Sequence, residues 1–227
     1  MKHALSAMVL LVLLALPGCK KDEAPRPSDL GHAYFPTEIG RWIEYAVDTA
    51  WRDDVTGVTD SLSYLLREAL VEEFTDAEGR AAQRMIRYWD LAGTGQWLPK
   101  DVWWQVRSTT QAERSEENQR RIKLIFPPRT GQYWNTNAIN TGTEYELTYV
   151  EVDVPWSING MSFDSTLLVR TTYPNNPVVS RTYYERYAKH VGLVYRQADS
   201  TDTQYDMNGN QTVRGTWYKQ VITGYGP

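Results

Sequence analysis

Apolar and polar residues alternate at period two along most of this chain, the pattern of strands that bury one face. Arg41 to Val47 reads Arg-Trp-Ile-Glu-Tyr-Ala-Val behind the breakers Pro36 and Gly40, and Asp101 to Ser108 holds Val102-Trp103-Trp104-Gln105-Val106. Arg121 to Phe126 starts with the same alternation and is stopped by Pro127-Pro128, because proline cannot donate to a ladder. Glu144 to Tyr173 predicts a hairpin turning at Asn159-Gly160, a pair suited to a turn whose central residues need positive φ. A second turn, Asp206 to Asn210, separates Val191–Ser200 from Val213–Thr223.

One stretch reads two ways. Leu62, Leu65, Leu66, Ala69, Leu70 and Phe74 fall at helical spacing, so Ser61 to Phe74 taken alone is an amphipathic helix. Asp76-Ala77-Glu78-Gly79 then reads as a turn, and Met85-Ile86-Arg87-Tyr88-Trp89 as a returning strand. A hairpin over residues 62–91 agrees better with its neighbours. The expected fold is therefore all-β: a single antiparallel meander with little helix.

The N-terminus follows another rule. Met1-Lys2-His3 precedes an apolar run from Ala4 to Leu16, then Pro17-Gly18-Cys19. A short positive start and about 7–15 apolar residues have the form of a secretory signal. The run is shorter than the roughly 20 residues a spanning helix needs. Leu16-Pro17-Gly18-Cys19 resembles the bacterial lipobox, with Pro17 less usual in it. That resemblance implies cleavage between Gly18 and Cys19 and lipid on the cysteine. Cys19 is the single cysteine of 227 residues, so no disulfide forms within the chain. The expected organisation is a signal peptide over 1–18, a lipidated flexible tether over 19–33, and a β domain over 34–227. Lys20-Lys21-Asp22-Glu23 resembles the export signal of Bacteroidota lipoproteins, which implies the outer leaflet of the outer membrane.

Charge narrows the partners. Without residues 1–18, 23 basic side chains stand against 28 acidic ones, a charge of −5. A mildly acidic body without a basic aromatic motif offers no whole-molecule attraction to nucleic acid. Nine Trp and fifteen Tyr against four Phe is unusual. Such residues pair an apolar body with a polar tip, and suit cross-strand packing or ligand-facing walls.

Three segments carry a wider resemblance: Tyr34-Phe35-Pro36 with Gly40, Trp42 and Tyr45; Lys123-Leu124-Ile125-Phe126-Pro127 with Gly131 and Trp134; and Tyr187-Ala188-Lys189-His190-Val191-Gly192-Leu193-Val194-Tyr195. Together they resemble Bacteroidota lipoproteins of unknown function, across residues 34–225. His190 stands where that family more often has a small residue. The resemblance implies a curved sheet or open half barrel, and brings no catalytic residue with it. Asp48-Thr49-Ala50, Asp60-Ser61-Leu62, Asp164-Ser165-Thr166 and Asp199-Ser200-Thr201 resemble the O-glycosylation tripeptide of exported Bacteroidota proteins, and read equally as turn and strand-end pairs.

Chemistry is sparse. Beyond the signal only His32 and His190 remain, too few for a zinc site. A Ser-His-Asp triad would have to use His190, and no Gly-x-Ser-x-Gly elbow accompanies it. Neither a phosphate loop nor a dinucleotide fingerprint is present. Asp199, Asp202, Asp206, Asn208 and Asn210 carry calcium-type oxygens but miss the EF-hand spacing, so a polar turn is favoured. Paired carboxylates for glycoside hydrolysis cannot be assigned along the chain. The expectation is a non-enzymatic, membrane-anchored envelope lipoprotein, with Cys19 lipidated and no cofactor or metal. Its β domain would bind an apolar, glycan or protein ligand, or serve as an assembly component of an envelope complex.

Overall fold

Tyr45 and Val47, two residues apart, are both buried, and the same rhythm runs through twelve strands. The computed structural model describes residues 29–171 and 176–227. In chain order the strands are β1 (Trp42–Asp53), β2 (Val58–Thr75), β3 (Ala81–Asp90), β4 (Leu98–Arg107), β5 (Gln111–Glu116), β6 (Gln119–Ile125), β7 (Tyr133–Asn135), β8 (Glu146–Ile158), β9 (Met161–Thr171), β10 (Val179–Ala188), β11 (Gly192–Tyr205) and β12 (Gln211–Gly226). All lie in one antiparallel sheet, ordered β6-β5-β4-β3-β2-β1-β12-β11-β10-β9-β8-β7. The all-β expectation holds, and the ambiguous stretch at Ser61–Phe74 is strand β2.

Every strand pairs with its neighbour in sequence except β6 with β7, and the last strand pairs with the first. The sheet thus curls into a barrel that is nearly closed. Its seam is short. Ile122 N–H donates to the Thr136 carbonyl (2.9 Å), and side chains do the rest. Trp134 Nε1 and Thr136 Oγ1 both donate to the Ile122 carbonyl, at 3.0 and 2.8 Å. Tyr149 Oη accepts from Ile125 N–H (2.9 Å) and donates to its carbonyl (2.7 Å). Groups left bare at a sheet edge are satisfied without a full ladder.

One end of the barrel is plugged. A 3-10 turn, His32–Tyr34, brings Tyr34 and Phe35 to 1% and 2% exposure. Arg107 Nη1 donates to the carbonyls of His32 (3.0 Å) and Phe35 (2.8 Å), and Gln105 Nε2 to that of Pro36 (2.8 Å). His32 also stacks edge-on against Phe126. Gly31 and His32, read from sequence as the end of the tether, are thus packed against the barrel, and Gly31 faces Pro128 too closely for a Cβ. Leu124, Leu147, Leu167 and Tyr187 pack beneath this plug as the main apolar core.

The other end is open. There β1, β2, β10, β11 and β12 overrun the remaining strands, pairing from Thr49 to Asp53 and from Ala198 to Tyr205 as a hood above the mouth.

Candidate functional site

Inward positions follow from register. Glu68 on β2 lies opposite Arg87 on β3, Gln105 on β4 opposite Arg114 on β5, and Glu185 on β10 opposite Arg196 on β11. All six point into the barrel, where soluble folds usually place aliphatic side chains. The interior is ionic instead.

Two clusters fill it. Glu68 accepts from Arg87 Nε (3.1 Å) and Arg114 Nη1 (3.4 Å), and Arg87 donates onward to Asp101 (2.9 Å) while lying 3.7 Å over the Trp103 ring. Lys123, 1% exposed, donates to Glu185 (2.7 Å), the Tyr183 hydroxyl (2.9 Å) and Glu116 (3.2 Å). Tyr187 donates to the other oxygen of Glu185 (2.7 Å), and Arg196 reaches Glu116 at 3.4 Å.

The charges set each other's protonation. Burial pushes Glu116 up, but Arg196, Lys123 and Arg114 outweigh it and hold the carboxyl well below the usual range. Burial likewise opposes ionisation of Glu185, and Lys123 and Arg196 bring it down. Tyr183 and Tyr187 are driven up by burial and then by Glu185. The cations beside them thus favour the ionised form of both glutamates.

Above these clusters, toward the mouth, lies a cavity of about 340 Å³. Its walls are Tyr64, Trp103 and Tyr218, with Arg87, Lys100, Arg121 and Arg196 against Glu116 and Glu117. Its size is at the small end of the range for ligand sites, about 300–1,000 Å³. A second space of about 40 Å³ lies at the plugged end beside Phe35 and Trp42 and is too small for a comparable ligand.

No protein-family model matches the chain, and no curated protein matches it. Among solved structures, a candidate lipoprotein of Parabacteroides distasonis is similar over 85% of this chain and 98% of its own, at 14% identity and a TM-score of 0.41. The S-type phycobiliprotein lyase of Guillardia theta is similar over 87% of this chain and 94% of its own, at 10% identity and a TM-score of 0.32. Neither brings a residue role to this chain.

The residues singled out in the sequence lie elsewhere. The signal peptide over 1–18 and Cys19 fall outside the described residues. His190 is exposed in the turn after β10 with φ 62°, and its N–H donates to the Ala33 carbonyl at the plugged end. Asp206 closes the β11–β12 turn by accepting from the Asn208 and Asn210 amides, while Asp202 pairs with Arg181 and Asp199 with Gln197. Among the described residues no group of metal-type ligands assembles. Of the hydroxyls in the Asp-Ser/Thr tripeptides, Ser61 is exposed, while Ser165 is bonded to Tyr34 and Asp153. The ionic interior and the cavity above it escaped sequence reading. The signal for the interior was a charge at the inward phase of a strand, at Glu68, Arg87, Arg114, Glu116, Lys123, Glu185 and Arg196.

Proposed function

We propose that this chain is a lipoprotein tethered through Cys19 to the outer membrane, whose barrel binds a small ligand at its open end without transforming it. The observation carrying the binding part is the mouth cavity of about 340 Å³, walled by three aromatic rings and by charged side chains. The expectation of a wholly apolar ligand fits this lining poorly, because an apolar body would leave those charges without water or partners.

The anchor fits the geometry. Asp29, where the described chain begins, accepts from Gly31 N–H and pairs with Lys189 at 3.1 Å, beside the plug. The described chain thus begins beside the plug, at the end of the barrel opposite the mouth.

Two measurements test the reading. Radiolabelled palmitate should enter the wild-type chain and hold it in the membrane fraction, and Cys19→Ala should release it unlabelled. A wild-type chain that is soluble and unlabelled overturns the anchor. For binding, maltose, N-acetylglucosamine and cinnamate serve as probes of a thermal melt. At least one should raise the melting temperature saturably, and Gln119→Trp, which fills the mouth, should abolish that rise. Silence from all three overturns the binding role.

A further inference from the structure

Three buried donors around the interior have no acceptor: Arg114 Nε, Arg121 Nε and Arg196 Nε. Two of those arginines, Arg121 and Arg196, line the same mouth cavity. Arg196 Nε stands 3.6 Å from Glu185, close enough for attraction but without a hydrogen bond. Arg121 donates through Nη2 to Gln119 (3.0 Å), and among the described residues it makes no ion pair. A buried donor left unsatisfied is costly, and guanidinium donors are best matched by a planar oxyanion.

The other lining cations are already matched. Asp101 takes both Arg87 (2.9 Å) and Lys100 (2.5 Å), and Glu116 takes Lys123 and Arg196. Glu117 accepts from Trp103 Nε1 at 3.3 Å. The lining therefore carries four cations, Arg87, Lys100, Arg121 and Arg196, against the carboxylates of Glu116 and Glu117, and Arg121 is the cation without an ion pair among the described residues.

Apolar surface lies next to that charge. Tyr64, Trp103 and Tyr218 wall the cavity. Above it, Trp51 of β1 and Leu62 of β2 lie on the lumen-facing side of the hood, at 36% and 37% exposure. Register places Leu62 opposite Thr49, two residues from Trp51. A ligand whose head meets the two arginines would therefore run its body along aromatic and aliphatic side chains.

We infer that the cavity takes a small organic monocarboxylate with a flat apolar body, its carboxylate on Arg121 and Arg196 and its body against the aromatic wall toward Trp51. This rests on the binding role proposed above and names the ligand class for that same site.

Cinnamate, its neutral amide cinnamamide, inorganic sulfate and maltose separate the alternatives, titrated calorimetrically into the folded full-length protein. Cinnamate should bind, with cinnamamide and sulfate each at least about tenfold weaker, the loss of a charge-assisted hydrogen bond or of the apolar body. Arg121→Gln should weaken cinnamate by about tenfold while leaving the melting temperature of the free protein nearly unchanged, because Arg121 holds no ion pair. Arg121→Lys, which keeps the charge but loses the fork, should fall between. Equal binding of cinnamamide, or binding of sulfate as tight as cinnamate, overturns the class. Binding of maltose alone overturns it while leaving the site's binding role intact. Silence from all four, or an Arg121→Gln variant that binds cinnamate as the parent does, also overturns it.

Discussion

Lys123 is the residue on which the interior turns. At 1% exposure it joins Glu116 of the neighbouring strand β5 to Glu185 and Tyr183 of β10. Removing one partner of a buried pair leaves the other charge uncompensated, at about 3–5 kcal/mol. Lys123→Met should therefore lose about that much stability in urea denaturation at pH 7. The double variant Lys123→Met with Glu185→Gln should recover part of the loss, because neither charge is then orphaned. An additive double variant would show that the pair does not act as one unit. The same residues set the acid limit. Glu116 and Glu185 are held below their ordinary value of 4.5, so their contribution is complete above that pH and is lost as pH falls below it. Stability should be flat from pH 8 to 6 with respect to this cluster and decline below about pH 4.5, more steeply than in Glu185→Gln. The excess of Tyr over Phe finds its reason here too. Tyr45, Tyr149 and Tyr187 are buried, and their hydroxyls reach the Leu193 carbonyl, the Ile125 backbone and Glu185. Phenylalanine would take that partner from the Leu193 and Ile125 carbonyls, the Ile125 N–H and Glu185.

At the level of elements, the strands that sequence reading missed are those whose burial is not apolar. β5 reads Gln-Ala-Glu-Arg-Ser-Glu, and five of its six residues are buried. Arg114 and Glu116 face the ionic interior, while Glu113 on the outer side is gripped by Arg80 (2.7 Å) and Arg120 (3.0 Å). Period-two alternation of hydrophobicity vanishes when both faces bury charge. β2 misleads for a related reason. Its inward positions are Leu62, Tyr64, Leu66, Glu68 and Leu70, and a glutamate in that row, with apolar Leu65 and Ala69 on the other face, mimics helical spacing. The Asn159-Gly160 hairpin was legible because its φ values of 50° and 75° are a local requirement. The β6–β7 seam was not, because its bonds come from residues up to 24 positions apart. Tyr149→Phe should expose the Ile125 amide and carbonyl at that seam at a cost of about 1–3 kcal/mol. Hydrogen exchange should then accelerate at Ile125 and Ile122 while the β1–β12 ladder stays protected. Uniform acceleration would mean that the seam is not a separate element.

For the whole molecule, the two ends have different tasks. The plugged end is apolar and fixed by Phe35 and Tyr34, and the open end is polar and holds the cavity. Phe35→Ala should lower stability by about 3–5 kcal/mol, the usual cost of truncating a buried aromatic. Cinnamate affinity at the mouth should remain within about threefold, since sites that share no partners act nearly independently. A large loss of affinity in Phe35→Ala would show that the plug and the mouth are coupled through Arg114, whose guanidinium lies 5.5 Å over the Phe35 ring and also reaches Glu68. Amino-acid order alone determined the strands with one apolar face, the Asn-Gly turn and the all-β class, because those depend on residues within a few positions of each other. Closure of the barrel, the plug and the ionic interior were decided only in three dimensions. A carboxylate and a guanidinium that satisfy each other across the barrel leave no mark in the sequence beyond two charges in places that locally look solvated.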